Sequence, residues 1–328
     1  MKPMLGGLRG FALAVAGLWI VLGIAAWPYS QDQNIPRWIL LAVLPAFLIE
    51  AALYLAAGLE STRRHLEQLP APRLALLMTL SAPLPLAIYM LSTGVWDSWS
   101  FAAVLGLAMA ASWWFILLPR NAAVDIGFLA LLAAPIIADL FKRIYPAPTP
   151  KIAVQILGVS MWVRTGMLAI LSIRRMEGIG FGFVPRAREW LIGVRYFAYF
   201  LPIGAALAAG LAFIRPEAPS LSLRTVVLTI ATFAGVLWVL ALSEEFFFRG
   251  ILQQQLSRWL RSEWAGLICA SILFGLVHLW FRAFPNWRFA LLATVAGVFY
   301  GLAYMRGRSI RPAMVTHALV VTTWKLIS

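Results

Sequence analysis

The chain is divided into long apolar runs, each close to the length that crosses a lipid bilayer. About eleven such runs begin near residues 8, 37, 74, 100, 122, 152, 191, 221, 264, 288 and 310. A membrane-spanning helix needs about 20 apolar residues. Because the bilayer interior offers no water to backbone groups, spanning segments must satisfy their own hydrogen bonds, and runs of this length do so as helices. The sequence therefore predicts an all-α fold, a polytopic transmembrane helical bundle of about 11 helices.

Two of these runs are the weakest candidates for a span. Pro83 and Pro85 interrupt the run that begins near residue 74. Asp125 and Asp139 flank the run that begins near residue 122. Proline removes a helical hydrogen bond, and a carboxylate inside the bilayer is costly, so these two segments match a spanning helix less well than the other nine.

Composition and charge agree with a membrane protein. The chain is 62% hydrophobic and 12% charged, whereas soluble domains are about 25% charged. Its net charge of +14 comes from basic residues in short loops between apolar runs, which is how membrane proteins fix their orientation. We therefore expect membrane lipid and no nucleic acid as a partner, and an integral protein of a bacterial inner membrane with a cytoplasmic N-terminus.

The longest polar interruption suggests how the chain is organised. Residues 174–190, RRMEGIGFGFVPRAREW, contain glycines, a proline and several charges that cannot cross a bilayer as a helix. We therefore place a six-helix membrane region of unknown role at 1–173, a polar loop at 174–190 and a second membrane region at 191–328.

Ionisable residues inside membrane helices are candidates for function. The first region contains four, with no spacing that links them, and we interpret them as buried pairs or interfacial residues: Glu50, Asp125, Asp139 and Arg164. The second region differs, because two of the three histidines, His278 and His317, lie in separate apolar runs that follow an intramembrane Glu-Glu pair.

Helical spacing separates the roles of these two glutamates. Glu245 and Arg249 are four residues apart with the acid first, the favoured order for an ion pair on a helix face. Glu244 points about 100° away and has no local cation. A partly desolvated carboxylate of this kind is suited to general-base catalysis near neutral pH. The alternative is a structural Arg–Glu pair accompanied by a spare acid.

Three motifs in order resemble a known family. EEFFFR at 244–249 matches Glu-Glu-x-x-x-Arg, FGLVH at 274–278 matches Phe-x-x-x-His, and His317 follows on a later apolar helix. Together they resemble the CPBP family, the CAAX-protease and bacteriocin-processing membrane proteins also called Abi proteins. The resemblance covers roughly residues 190–328 and implies a helical intramembrane endopeptidase acting on a membrane-anchored peptide or protein.

The resemblance also implies roles for individual residues. Glu244 with His278 would activate the attacking water, His317 would stabilise the oxyanion, and Glu245, Arg249 and Phe274 would support the site. The family's third motif is usually His-x-x-x-Asn, but Val321 stands where the asparagine would donate a hydrogen bond. Three nearby hydroxyl groups are possible substitutes: Thr316, Thr322 and Thr323.

Several alternatives remain open on the sequence alone. Glu and His are zinc-compatible ligands, but no His-Glu-x-x-His helix is present, so we expect a glutamate-type mechanism with no metal or other cofactor and keep zinc as the alternative. A catalytically inactive membrane binder, such as a bacteriocin-immunity protein, would account for Val321. A proton-coupled transporter would account for intramembrane acids and histidines, although no matched pair of broken helices is evident.

Overall fold

The structure is a computed structural model that describes residues 2–213, 222–281 and 284–327, with side chains described from residue 7 onward. Within these residues every regular element is a helix, and nine helices are long and apolar enough to cross a membrane. The predicted all-α transmembrane bundle is confirmed. The chain forms two compact units, Met1–Met176 and Glu177–Ser328.

Two of the predicted runs are not among these nine candidate spans. The run near residue 122 forms Ala122–Ile137, which has only 16 residues. The run near residue 310 forms Ile310–Ile327, whose inner face carries polar side chains, including those of His317 and Thr316, that lower its hydropathy. Burial within the protein, rather than contact with lipid, explains how this helix tolerates them.

The helices of the first unit are α1 (Lys2–Asp32), α2 (Arg37–Gly58), α3 (Glu60–Leu66), α4 (Ala71–Ser81), α5 (Leu84–Thr93), α6 (Ser98–Leu117), α7 (Ala122–Ile137), α8 (Leu140–Ile144) and α9 (Gln155–Leu168), the last continued by a π-helical turn at Ala169–Arg174. Helix α2 packs against α1, α5 and α9, while α6 packs against α4 and α9.

Buried ion pairs account for the polar residues of the first unit. Pro83 and Pro85 cannot donate backbone hydrogen bonds, and the helix breaks between α4 and α5 at this point. Because Pro85 lies four residues after Ser81, the Ser81 carbonyl has no helical donor. Arg164 donates to the freed carbonyl of Ser81 at 3.0 Å and to Glu50 at 2.9 Å. Asp125 is likewise paired with Arg174 at 2.8 Å. Glu50, Arg164 and Asp125 therefore lie in buried pairs, as interpreted, whereas Asp139 forms an exposed ion pair with Lys142 at 2.7 Å.

The helices of the second unit are α10 (Ala187–Gly210), α11 (Leu223–Gly235), α12 (Leu242–Glu245), α13 (Gln254–Trp259), α14 (Glu263–Val277), α15 (Trp287–Gly307) and α16 (Ile310–Ile327). Helix α15 packs against α10, α14 and α16, and α16 also packs against α10.

One continuous helical segment, Leu223–Trp259, carries the Glu-Glu motif. It contains wide π-helical turns at Val236–Ala241 and Phe246–Gln253, on either side of α12. Such turns are uncommon and occur frequently at functional sites, because they change the direction in which neighbouring side chains point. The two glutamates thus lie on a short α-helical segment between two irregular ones.

Polar contacts at its N-terminus fix the position of α16. Arg311 forms an ion pair with Glu189 of α10 at 2.7 Å. The turn before α16 contacts Gly180. Glycine is required at this position because its φ is +63° and because the Cβ of any other residue would lie 2.4 Å from Cα of Ser309. The hydroxyl of Ser309 donates to the carbonyl of Gly180 at 2.7 Å. These contacts hold the helix that carries His317.

Candidate active site

Glu245 and Arg249 form the predicted ion pair inside the second unit. Nε of Arg249 lies 3.0 Å from Oε2 of Glu245, and neither side chain is exposed. The guanidinium group also lies over the ring of Phe274, 5.2 Å from its centre. Because breaking a buried pair leaves an uncompensated charge, this pair fixes the rotamers of both residues and supplies a rigid support for their neighbours.

His317 is held by the second oxygen of Glu245. Nδ1 of His317 lies 2.8 Å from Oε1 of Glu245. An ionised carboxylate only accepts hydrogen bonds, so Nδ1 carries a hydrogen and donates it. The other ring nitrogen, Nε2, is thereby directed away from Glu245, and the orientation of the imidazole is set by a carboxylate that is itself held by Arg249.

Glu244 lies beside His317 rather than beside a cation. Its Oε2 is 3.9 Å from Nε2 of His317, and the Glu244 side chain is 25% exposed. This distance exceeds a hydrogen bond, and among the described residues Oε2 has no hydrogen-bond partner. Two polar atoms at this separation are close enough to contact one water oxygen together.

Aromatic rings surround the His317 imidazole. Tyr300 stacks on it at 4.5 Å between ring centres with an interplanar angle of 12°. Phe274 meets it edge-on at 5.9 Å. Tyr300 and Phe274 are both 2% exposed. Their rings restrict rotation of the imidazole, so His317 is fixed both by its hydrogen bond to Glu245 and by packing.

His278 also contacts Phe274 and lies in the short 3-10 helix that follows α14. Its Nδ1 donates to the carbonyl of Phe274 at 2.6 Å, so Nε2 is again the nitrogen left for other contacts. The rings of His278 and Phe274 are 4.7 Å apart. Within the described part of the chain, no hydrogen bond or ion pair joins His278 to Glu244.

The two histidines border a common cavity of about 240 Å³ in the second unit. His317 therefore connects this cavity to the glutamates of α12. The remaining wall comes from α10, α15 and α16 and is mainly apolar and aromatic, including Phe200, Phe289, Ala296 and Trp324. A cavity of this kind suits an apolar ligand that presents a polar bond to the histidines.

Val321 borders the same cavity as His317, as its position one turn farther along α16 predicts. The three threonines differ in their surroundings. The Thr316 hydroxyl lies 3.0 Å from the carbonyls of Gly193 and Pro312 and is occupied by them. Thr322 is buried and does not line the cavity, whereas Thr323 does. Of the three threonines, Thr323 is therefore the one whose position suits a substitute donor in the cavity.

Among the described residues, the carboxylates and imidazoles of this site are not arranged as metal ligands. Both oxygens of Glu245 already accept hydrogen bonds, one from Arg249 and one from His317. Across the described ranges, no group of three His, Cys, Asp or Glu side chains has a spacing that would hold a metal ion. The expectation of a metal-independent mechanism stays a prediction.

Comparison with known proteins finds a match in the part of the chain that contains these residues. Residues 225–323, less than a third of the chain, match the family described as type II CAAX prenyl endopeptidase Rce1-like. The predicted resemblance to the CPBP family is confirmed. The matched segment contains Glu244, His278 and His317, and at the general level it supports an intramembrane endopeptidase. No curated protein and no solved structure matches the chain.

Sequence reasoning did not identify Tyr300 or Gln253. Tyr300 stacks on His317, and Gln253 is only 1% exposed although it has a polar side chain. Sequence signals were present, because Tyr300 places a hydroxyl group in the apolar run that begins near residue 288, and Gln253 begins three consecutive glutamines at the end of the run that begins near residue 221. Gln253 also follows Arg249 by four residues, so the ion-pair face of the helix extends one turn farther than the motif.

Proposed function

We propose that the protein is an intramembrane endopeptidase that hydrolyses a peptide bond of a membrane-anchored peptide or protein. Glu244 is the general base, and His317 donates a hydrogen bond to the oxyanion that forms. The observation that carries the proposal is the 3.9 Å separation between Oε2 of Glu244 and Nε2 of His317, together with the unpartnered state of that carboxylate oxygen among the described residues.

The chemistry follows from this arrangement. Glu244 takes a proton from a water molecule as the water oxygen bonds to the scissile carbonyl carbon. The carbonyl oxygen becomes an oxyanion, to which His317 in its protonated form donates a hydrogen bond from Nε2. The carbon–nitrogen bond then breaks, and the proton held by Glu244 passes to the leaving amine. Glu245 and Arg249 position His317 throughout.

His278 completes the polar surroundings of the reaction. Its Nδ1 is occupied by the Phe274 carbonyl, so its Nε2 is directed to the substrate or to the attacking water. By the resemblance to the family, His278 would activate the attacking water together with Glu244. Because the two residues have no direct bond, this role requires the water itself to bridge them.

The apolar cavity indicates which part of a substrate binds there. Its walls from α10, α15 and α16 are mainly aromatic and aliphatic, so it suits an apolar anchor or side chain next to the bond that is cut. The name of the matched family specifies a prenylated CAAX sequence as one such substrate. Peptides with a prenylated C-terminus and peptides with a helical membrane anchor are therefore the first two classes to test.

A cleavage assay on the purified full chain in detergent tests the proposal. The wild type should cut at least one anchored peptide, and Glu244→Gln should lower kcat by about 10²–10⁴-fold, because it retains the shape of the side chain and removes the base. Glu263→Gln is the matched control, since Glu263 forms a half-exposed ion pair with Arg308. Equal rates for wild type and Glu244→Gln would reject Glu244 as the base.

One observation favours a second function. Val321 places an apolar side chain on the cavity wall beside His317, where the family pattern has a hydrogen-bond donor. A membrane binder that no longer cleaves its ligand would tolerate this change. Under that function the wild type and Glu244→Gln bind an anchored peptide equally well and release no product.

A further inference from the structure

The second unit has two distinct ends, because its packed helices run in opposite directions. Helices α10 and α16 begin at the same end, where Arg311 pairs with Glu189 at 2.7 Å, and a short turn places the end of α15 there as well. This is the loop end of the unit. At the opposite or cavity end, Phe213 after α10 contacts Phe289 of α15 and Trp324 of α16, with ring centres 5.5 and 4.9 Å away.

The cavity beside His317 occupies only the half of these helices that leads to the cavity end. Helix α10 lines it within residues 197–209, α15 within 289–300 and α16 within 317–327. Each range reaches almost to the cavity end of its helix and stops about two turns or more before the loop end. A ligand in the cavity therefore approaches His317 from the cavity end.

The cavity is open to the outside in this half of the unit. Leu201, Ala205 and Ala209 line it, and all three side chains are nevertheless exposed, Leu201 by 43%. They lie four residues apart along α10, on one face of the helix. The opening thus follows the last two turns of α10 toward the cavity end.

A polar loop, residues 177–185, covers the loop end instead. The hydroxyl of Tyr304 donates to the carbonyl of Gly178 at 3.1 Å. Phe181 packs edge-on against Phe246, the residue that follows the two glutamates, with ring centres 5.7 Å apart. The loop therefore lies between the outer surface of the loop end and the glutamates of α12.

The two ends also differ in their basic residues. Helices α10 and α15 are long enough to cross a membrane, so the two ends lie at opposite membrane faces, and membrane proteins keep an excess of Lys and Arg in their cytoplasmic loops. In the sequence, the three segments that meet at the loop end carry nine arginines, whereas the segments at the cavity end carry five basic residues. The loop-end residues are Arg174, Arg175, Arg186, Arg188, Arg258, Arg261, Arg306, Arg308 and Arg311, and the cavity-end residues are Arg215, Arg224, Arg282, Arg288 and Lys325, of which Arg215 and Arg282 lie outside the described residues. The charge bias assigns the loop end to the cytoplasmic face.

We propose that the substrate reaches the site from the extracytoplasmic face of the membrane, through the cavity end. The inference rests on the proposed function, because it identifies which bonds of an anchored protein the site can reach. His317 lies ten residues before Ile327, the end of α16, which places it about 15 Å from the cavity end, or about half of a bilayer core. The substrate class is therefore an anchored protein whose cut bond enters from the outer half of the bilayer.

Cysteine labelling tests the direction of access without requiring cleavage. Cys269 is the one cysteine of the chain, so Cys269→Ser provides a background for single new cysteines. In a bacterial inner membrane, Lys325→Cys at the cavity end should react with a membrane-impermeant thiol reagent in intact spheroplasts. Arg261→Cys at the loop end should react only in inverted vesicles. The reverse pattern would overturn the inference.

A cysteine inside the cavity tests whether the cavity itself is reached from that face. Ala208 lines the cavity and is 2% exposed, so Ala208→Cys should react with a small charged thiol reagent in intact spheroplasts. Ala293→Cys provides a second lining position if the first variant does not fold. Ala270→Cys is the matched control, because Ala270 is 0% exposed and does not line the cavity. Cavity cysteines that react only in inverted vesicles, or from neither face, would overturn the inference.

Two single-span substrates separate this inference from the proposed function. They carry the same peptide segment on the outer or on the cytoplasmic side of the same anchor, and only the outer segment should be cut. Cleavage of the cytoplasmic segment alone would overturn the direction of access and retain the protease. Cleavage of neither segment, in protein whose cavity cysteine is labelled from outside, would uphold the direction of access and reject the proposed function.

Discussion

Val321→Asn should convert an apolar part of the cavity wall into a second oxyanion donor. Val321 borders the cavity one helical turn beyond His317. The Nδ2 group of an asparagine at this position would lie on the same face as the imidazole and could donate to the same oxyanion. Leu319→Asn is the matched control, because Leu319 lies on the same helix but does not line the cavity.

The expected gain comes from the value of one preorganised donor. Removing such a donor from an acyl-transfer enzyme costs about 10²–10³-fold in kcat, so adding one to a site that has only His317 should raise kcat toward the lower part of that range. Burying an amide without a partner costs about 1–3 kcal/mol. We therefore expect Val321→Asn to unfold at a lower temperature than the wild type while cutting faster.

Initial rates on an anchored peptide, measured beside thermal unfolding in the same detergent, provide the test. Val321→Asn should be faster by about 10²-fold, and Leu319→Asn should stay within about twofold of the wild type. A folded Val321→Asn protein with an unchanged rate would contradict the idea that His317 is the only side chain that donates to the oxyanion. Thr323 would then be the first candidate for the missing donor, and Thr323→Val should cause a large loss.

Three further predictions concern stability and metal. Arg249→Met should lower the free energy of unfolding by about 3–5 kcal/mol, because Glu245 loses its buried partner. The double variant with Glu245→Gln should lose less stability than Arg249→Met alone. If chemical unfolding shows an equal or greater loss in the double variant, the pairing is contradicted. Arg164→Met should destabilise the first unit by a similar amount through Glu50, and a neutral effect on thermal unfolding would exclude the buried pair as a stabilising element. Prolonged dialysis against a chelator should leave kcat unchanged, whereas activity that is lost and then restored by zinc would require a metal mechanism.

The sequence predicts the features of this fold that depend on local spacing. Apolar length is enough to predict most of the spanning helices, because a bilayer restricts what such runs can form. The ion pair of Glu245 with Arg249 follows from their separation of four residues in one helix. The position of Val321 on the cavity wall follows in the same way from its distance to His317 along α16.

Features that join distant segments could not be predicted in this way. His317 bonds to Glu245 across 72 residues, and no local pattern distinguishes it from His278 as the neighbour of Glu244. The partners of Arg164 also required the tertiary structure, since Glu50 and Ser81 are far from it in sequence. The helix Ile310–Ile327 shows the limit of hydropathy, because polar side chains on its buried face make it less apolar than the lipid-facing helices.

Cleavage of an anchored peptide in water enriched in ¹⁸O tests whether Glu244 activates the water that attacks the peptide bond. Wild-type protein and Glu263→Gln should release a fragment whose new carboxylate contains one ¹⁸O atom from the solvent, and Glu244→Gln should release about 10²–10⁴-fold less of it. Mass spectrometry of the released fragment measures both quantities. Labelled product formed by Glu244→Gln at the wild-type rate would contradict the claim that Glu244 activates the attacking water.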